Sequence, residues 1–145
     1  MDRELIVEKI KNSADRYGAS NKQQIKQLLL LFKKASDREL FFGLFSFFYD
    51  PKLQENVFER QQLAGTVLYE IKPKCPLNLD GAILATPAYW DLSVEEFPWY
   101  LCEQFGQKNV QDFLDEFSVD VSDEKIKRGL KTMLFWANRY KSAGT

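Results

Sequence analysis

Apolar side chains recur along this chain at helical spacing, and strict two-residue alternation is missing. Ile6, Val7, Ile10, Ala14 and Tyr17 form one stripe among lysines and glutamates, predicting a first helix over 2–17 that Gly18 ends. Ile25, Leu28, Leu29, Phe32 and Ala35 form the next, with Ser20 as its cap and Gln23 as the reciprocal partner. Leu30 and Leu31 widen that stripe, so the second helix is expected to pack on two sides. No strand is expected beyond the short run 119–121.

The third block is apolar all round. Residues 40–49 read LFFGLFSFFY, eight of ten large and apolar and six of those aromatic, so this helix must be buried on most sides. Ser36 and Glu39 form a capping box ahead of it. Asp50-Pro51 stops it, because the residue before proline is pushed out of the α region. The helix 37–49 is therefore expected at the centre of the fold, with Phe41, Phe45 and Phe48 innermost. A long helix follows over 53–71, with Leu53, Val57, Ala64, Val67, Leu68 and Ile71 on one face and Pro73 and Pro76 after its end.

This pair of helices, residues 39–71, resembles one HEAT-type helical repeat. The resemblance lies in an apolar first helix, the Asp50-Pro51 turn, then Arg60 followed by Leu63, Ala64, Val67 and Leu68. It implies stacked antiparallel helix pairs, which in that family are mostly protein-binding scaffolds.

Downstream, Asn78 is expected to cap a short helix through Leu79, Ala82, Ile83 and Leu84, ended by Pro87, and 89–91 reads as a loop. The sharpest start signal is LSVEEF at 92–97. Ser93 is the predicted cap and Glu96 its reciprocal partner, with Leu92 and Phe97 placed as a hydrophobic staple. Pro98 would bend that helix and Gly106 close it. A helix over 107–117 turns Val110, Phe113, Leu114 and Phe117 inward. The last, capped by Ser122 and running to Tyr140, buries Ile126, Leu130, Met133, Leu134 and Ala137. The whole reads as an all-α fold of seven or eight helices packed as antiparallel pairs, either HEAT-like or an irregular bundle. Residues 1–141 are expected to form one domain and 142–145 a frayed tail.

Composition narrows the chemistry. There is no histidine, which removes the usual general base, the commonest metal ligand and every Ser/His or Cys/His nucleophile arrangement. No GxxxxGKS, GxGxxG, HExxH or GxSxG motif is present, so no cofactor, metal site or catalytic residue is expected. Cys75 and Cys102 form no CxxC pair, which fits a reducing cytoplasm. The charged first helix is not a signal peptide. No apolar run reaches the roughly 18–20 residues of a membrane span, so a soluble protein without a membrane partner is expected.

Charge supplies the one functional lead. Residues 91–124 carry ten carboxylates against one lysine, and residues 125–145 carry six cations and no acid. Advancing about 100° per residue, Trp99 falls opposite Phe97, Leu101 and Phe105, between Glu95 and Glu103. On the next helix Asp112, Asp115 and Glu116 lie opposite Val110, Phe113 and Phe117. An acidic surface bearing an aromatic anchor suits capture of a basic protein. The competing reading puts Trp99 beneath the 87–91 loop, with the acids serving solubility alone. On the last helix Phe135, Arg128, Lys131 and Arg139 share a basic face, but the acidic block beside it disfavours nucleic acid, and pairing between the two helices would account for both charges. The sequence thus points to a non-catalytic cytosolic binding protein, for example an inhibitor or immunity-type protein. The partner-binding residues would be Trp99, Glu95, Glu103, Asp112, Asp115 and Glu116. Two alternatives stand beside it: a helical scaffold that self-associates as a homo-oligomer, and a carboxylate-dependent enzyme.

Overall fold

A computed structural model describes residues 1–141, and the expectation of a frayed 142–145 tail lies outside them. The described residues contain eight α-helices and no strand: α1 (Arg3–Tyr17), α2 (Lys22–Phe32), α3 (Asp37–Phe45), α4 (Val57–Ile71), α5 (Leu79–Leu84), α6 (Glu96–Phe105), α7 (Gln107–Ser118) and α8 (Glu124–Asn138). α1 packs on α2, α3 and α4; α6, α7 and α8 pack on one another; α4 joins the two groups through α6.

The aromatic block sits where its composition demands. Phe41, Phe45, Phe47 and Phe48 are all buried, and rings from α6 continue the cluster. Phe41 stacks on Phe45 at 4.8 Å, and Phe48 on Phe97 at 4.7 Å. Tyr100 lies 6.1 Å from Phe41, and its hydroxyl donates to the Pro73 carbonyl at 2.6 Å. Offset ring pairs of this kind stabilise beyond the area they bury. The helix is shorter than the expected 37–49, however. It tightens after Phe45 into a 3₁₀ turn, Ser46–Phe48, where Ser46 Oγ donates to the Gly43 carbonyl at 2.6 Å. A second 3₁₀ turn, Pro51–Leu53, precedes α4, so the expected helix over 53–71 begins at Val57.

Helix starts differ from the sequence reading in an instructive way. Ser36 caps α3 as expected, accepting from Glu39 N at 3.3 Å, but Glu39 does not reciprocate. Its carboxylate instead accepts from Arg3 N at 3.2 Å and binds the Arg3 side chain, satisfying a free N–H in the first turn of α1, whose cap is Asp2. Asn21, not Ser20, caps α2, and Asp123, not Ser122, caps α8. Ser93 does not cap α6. It is held in a turn by Asp91, and α6 starts after Glu95. Pro98 is the reason: in a helix capped by Ser93 it would fall where its ring meets the carbonyl of Val94, whereas from Glu95 it lies in the first turn, where no donor is needed. Gly18 ends α1 with φ +77°, as expected.

The α1–α3 crossing is set by Gly43. A Cβ there would stand 2.8 Å from Ile6 Cγ2 and 3.3 Å from the Arg3 carbonyl oxygen, and Ile6 is fully buried. Gly43→Ala is expected to lose about 1–2 kcal/mol net, overpacking outweighing the ~1 kcal/mol helix-propensity gain. The melting temperature should fall by roughly 3–6 °C, and an unchanged or raised value would show that α1 can step back freely.

Candidate functional site

The acidic block folds into α6, α7 and the turns around them, and α8 returns antiparallel to α7. Val110 and Leu114 anchor α7 inward, with Phe113 and Phe117 half-buried and stacked at 5.5 Å. The start of α7 lies beside the end of α8. There Gln107 Nε2 donates to the carbonyls of Ala137 (2.8 Å) and Tyr140 (3.1 Å), and Gln111 Nε2 to Asn138 Oδ1 at 2.9 Å.

This arrangement splits the predicted binding face. Trp99 is half-buried, and its indole N–H donates to the Trp136 carbonyl at 3.1 Å, with the Tyr69 ring 6.1 Å away. It belongs to the joint between α6, α8 and α4 and is no free-standing anchor. Trp136 on α8 donates its indole N–H to the Leu92 carbonyl at 2.7 Å. Glu103 is exposed but accepts the Tyr140 hydroxyl. Glu95 stands half-buried at the start of α6, where burial and the adjacent Glu96 raise its carboxyl above the ordinary range. These three residues are engaged with the fold.

Asp112, Asp115 and Glu116 differ. All three are exposed on the outer side of α7. Asp112 has a helix-internal partner in Lys108 at 3.4 Å, and among the described residues neither Asp115 nor Glu116 makes an ion pair. Val119, one turn beyond Asp115 on the same side, is 76 % exposed. That apolar residue inside an acidic ridge was not singled out from the sequence, though its spacing of seven from Asp112 is the signal that would have found it.

The expected neutralisation by α8 does not occur. The ion pairs among the described residues are Arg3–Glu39, Lys11–Glu8, Arg60–Asp15 and Lys108–Asp112, none of which involves α8. The outer face of α8 keeps Arg128 and Lys131 exposed, and Arg139 lies 3.4 Å over the ring of Phe135. Pairing exposed charges contributes little, and the apolar stripes of α7 and α8 decide how the two helices rotate.

Other candidate chemistry is quiet. Burial raises the Cys75 thiol and pushes Cys102 up to about 12, so both resist forming the reactive thiolate. Among the described residues no three Cys, Asp or Glu side chains are grouped to hold a metal ion, and no helix is long and apolar enough to cross a membrane. Compared with known proteins, the chain matches no family model, no curated protein and no solved structure.

Proposed function

We propose that the chain is a non-catalytic, cytosolic protein-binding domain, and that the outer face of α7 docks a basic protein partner. The supporting observation is that Asp112, Asp115 and Glu116 line the outer side of α7 leading to an exposed Val119 and receive no countercharge from the six-cation segment packed beside them. An apolar contact at the end of a row of like charges steers an oppositely charged partner and gives it a dry point of contact. An inhibitor or immunity-type protein that covers a basic cleft is the concrete form of this reading, and the resemblance of residues 39–71 to a HEAT-type repeat would suit a scaffold role.

The test is charge reversal on α7 alone. Asp112→Lys with Asp115→Lys and Glu116→Lys is expected to weaken capture of the basic partner at least tenfold, with the remaining affinity less sensitive to salt. Stability should stay within about 0.5 kcal/mol per site, because these are surface positions. Unchanged capture by a folded variant would remove the proposal. Trp99 is unsuited to this test, since its loss would disturb the α6–α8 joint.

Self-association is the second reading, favoured by the same unmatched charges: the basic face of α8 with Phe135 complements the acidic ridge of α7. It predicts a mass that rises with concentration at low salt and falls at high salt. A carboxylate-dependent enzyme draws least support, because the α7 carboxylates point outward from a helix surface and do not converge.

A further inference from the structure

The seam between α1 and α2 is polar where a helical hairpin ordinarily packs apolar side chains. α1 presents Lys9, Asn12, Ser13 and Arg16 to it, at i, i+3, i+4 and i+7. α2 answers with Gln24, Gln27, Leu28 and Leu31 in the same spacing. Between them lies an open cleft of about 260 Å³. The apolar residues of α1 are committed elsewhere: Ile6, Ile10 and Ala14 are buried in the main core.

Three features of this cleft point to one kind of ligand. It contains two cations and no carboxylate among its lining residues. The α1 acids that could have neutralised it are already taken, Glu8 by Lys11 and Asp15 by Arg60, and among the described residues neither Lys9 nor Arg16 makes an ion pair. Finally, Ser13 is only 7 % exposed, lines the cleft, and its hydroxyl bonds to no other protein group. A buried hydroxyl without a partner costs about 1–3 kcal/mol, which a ligand acceptor would relieve.

We infer that this cleft binds the phosphate group of a small phosphate monoester. Ser13 and Asn12 lie midway between Lys9 and Arg16, which are two helical turns, roughly 10 Å, apart along α1. Both long side chains can therefore fold toward one central anion. The phosphate takes the Ser13 hydroxyl and the Asn12 amide at its base, Lys9 and Arg16 from either end, and the Gln24 and Gln27 amides from across the cleft. A tetrahedral dianion with several acceptor oxygens matches so many convergent donors better than a planar carboxylate does. Leu28 and Leu31 form the wall against which a short carbon body rests. Tyr17, with the Arg16 guanidinium 5.3 Å over its ring, stands among the lining residues and steadies that arginine. The assignment is independent of the α7 face.

The probes are inorganic phosphate and phenyl phosphate, titrated at constant ionic strength against the full chain, with chloride as the control anion. Backbone amide shifts read the site. Saturable one-to-one binding is expected, tighter for phenyl phosphate, with shifts confined to α1 and α2. Arg16→Gln should weaken binding roughly tenfold, the size of one charge-assisted contact. Lys9→Gln should act similarly, and both should leave the melting temperature unchanged. Ser13→Ala should weaken binding severalfold while slightly stabilising the unliganded protein, which separates a ligand-facing hydroxyl from a structural one. Absence of saturation, shifts centred on the basic face of α8, or indifference to Arg16→Gln would each overturn the assignment.

Discussion

Gln61→Met is expected to destabilise the protein by about 3–4 kcal/mol, lowering the melting temperature by roughly 10 °C. Gln61 is completely buried in α4 and uses both ends of its amide. Its Nε2 donates to the carbonyls of Tyr89 (2.7 Å) and Phe47 (3.0 Å), and its Oε1 accepts from Asp91 N at 2.7 Å. One side chain thus ties the 3₁₀ end of the aromatic helix to the loop that leads into α6. Methionine keeps the volume and removes every bond. The Phe47 carbonyl retains a second donor in Gln54 at 3.2 Å, so the loss falls mainly on Tyr89 and Asp91, at about 1–3 kcal/mol for each stranded group. Gln61→Glu should be worse, because a carboxylate would face two carbonyl oxygens. A chemical melt of the methionine variant that overlays the parent would show that these backbone groups find other partners.

The second large effect concerns Arg60 and Asp15. Arg60 is 5 % exposed and meets Asp15 through two parallel bonds, Nε to Oδ1 at 2.9 Å and Nη2 to Oδ2 at 2.8 Å, locking α4 to α1. Asn56, held in the left-handed region at φ 46°, adds a third donor to the same carboxylate at 3.0 Å. Asp15→Ala leaves a buried guanidinium without its partner and should cost about 3 kcal/mol, whereas Arg60→Met removes the charge itself and should cost less than about 1 kcal/mol. The double variant should resemble Arg60→Met, and strictly additive losses would show that the pair is uncoupled.

The same carboxylate predicts a pH dependence. The Arg60 guanidinium, helped by Asn56, holds Asp15 at about 2, below its ordinary 3.8. A depressed folded-state value means that the stabilisation is complete above the unfolded value and is lost as pH falls through about 2. The Asp15 side chain is 40 % exposed, so solvent screening leaves roughly 1 kcal/mol of this linkage. The stability gap between parent and Asp15→Ala should narrow by most of that amount between pH 4 and pH 2. A constant gap would assign it to packing.

Much of the fold was legible because burial leaves a periodic record. The α7 stripe through Val110 and Leu114 sets which side faces out, so Asp112, Asp115 and Glu116 were placed correctly from spacing alone. The same wheel misjudged Trp99, since it orients a residue on its own helix and cannot say whether α8 will cover it. Adjacent cap-competent pairs such as Ser20 with Asn21, and Ser122 with Asp123, differ only in which oxygen reaches the third amide, a choice made by tertiary contacts. Gln61 and Ser13 were illegible for a related reason. A polar residue beside an apolar stripe reads as solvated, and only the position of distant chain segments makes it interior.

The end of α8 carries a further consequence. The carbonyls at a helix end are ordinarily left to water, yet Trp99 donates to that of Trp136 and Gln107 to that of Ala137, and Gln107 also holds the Tyr140 carbonyl just beyond the helix. The last turn cannot unwind without first breaking bonds to α6 and α7. This helix end opens only together with its neighbours, so amide exchange near Ala137 reports the cooperative opening of the three-helix group.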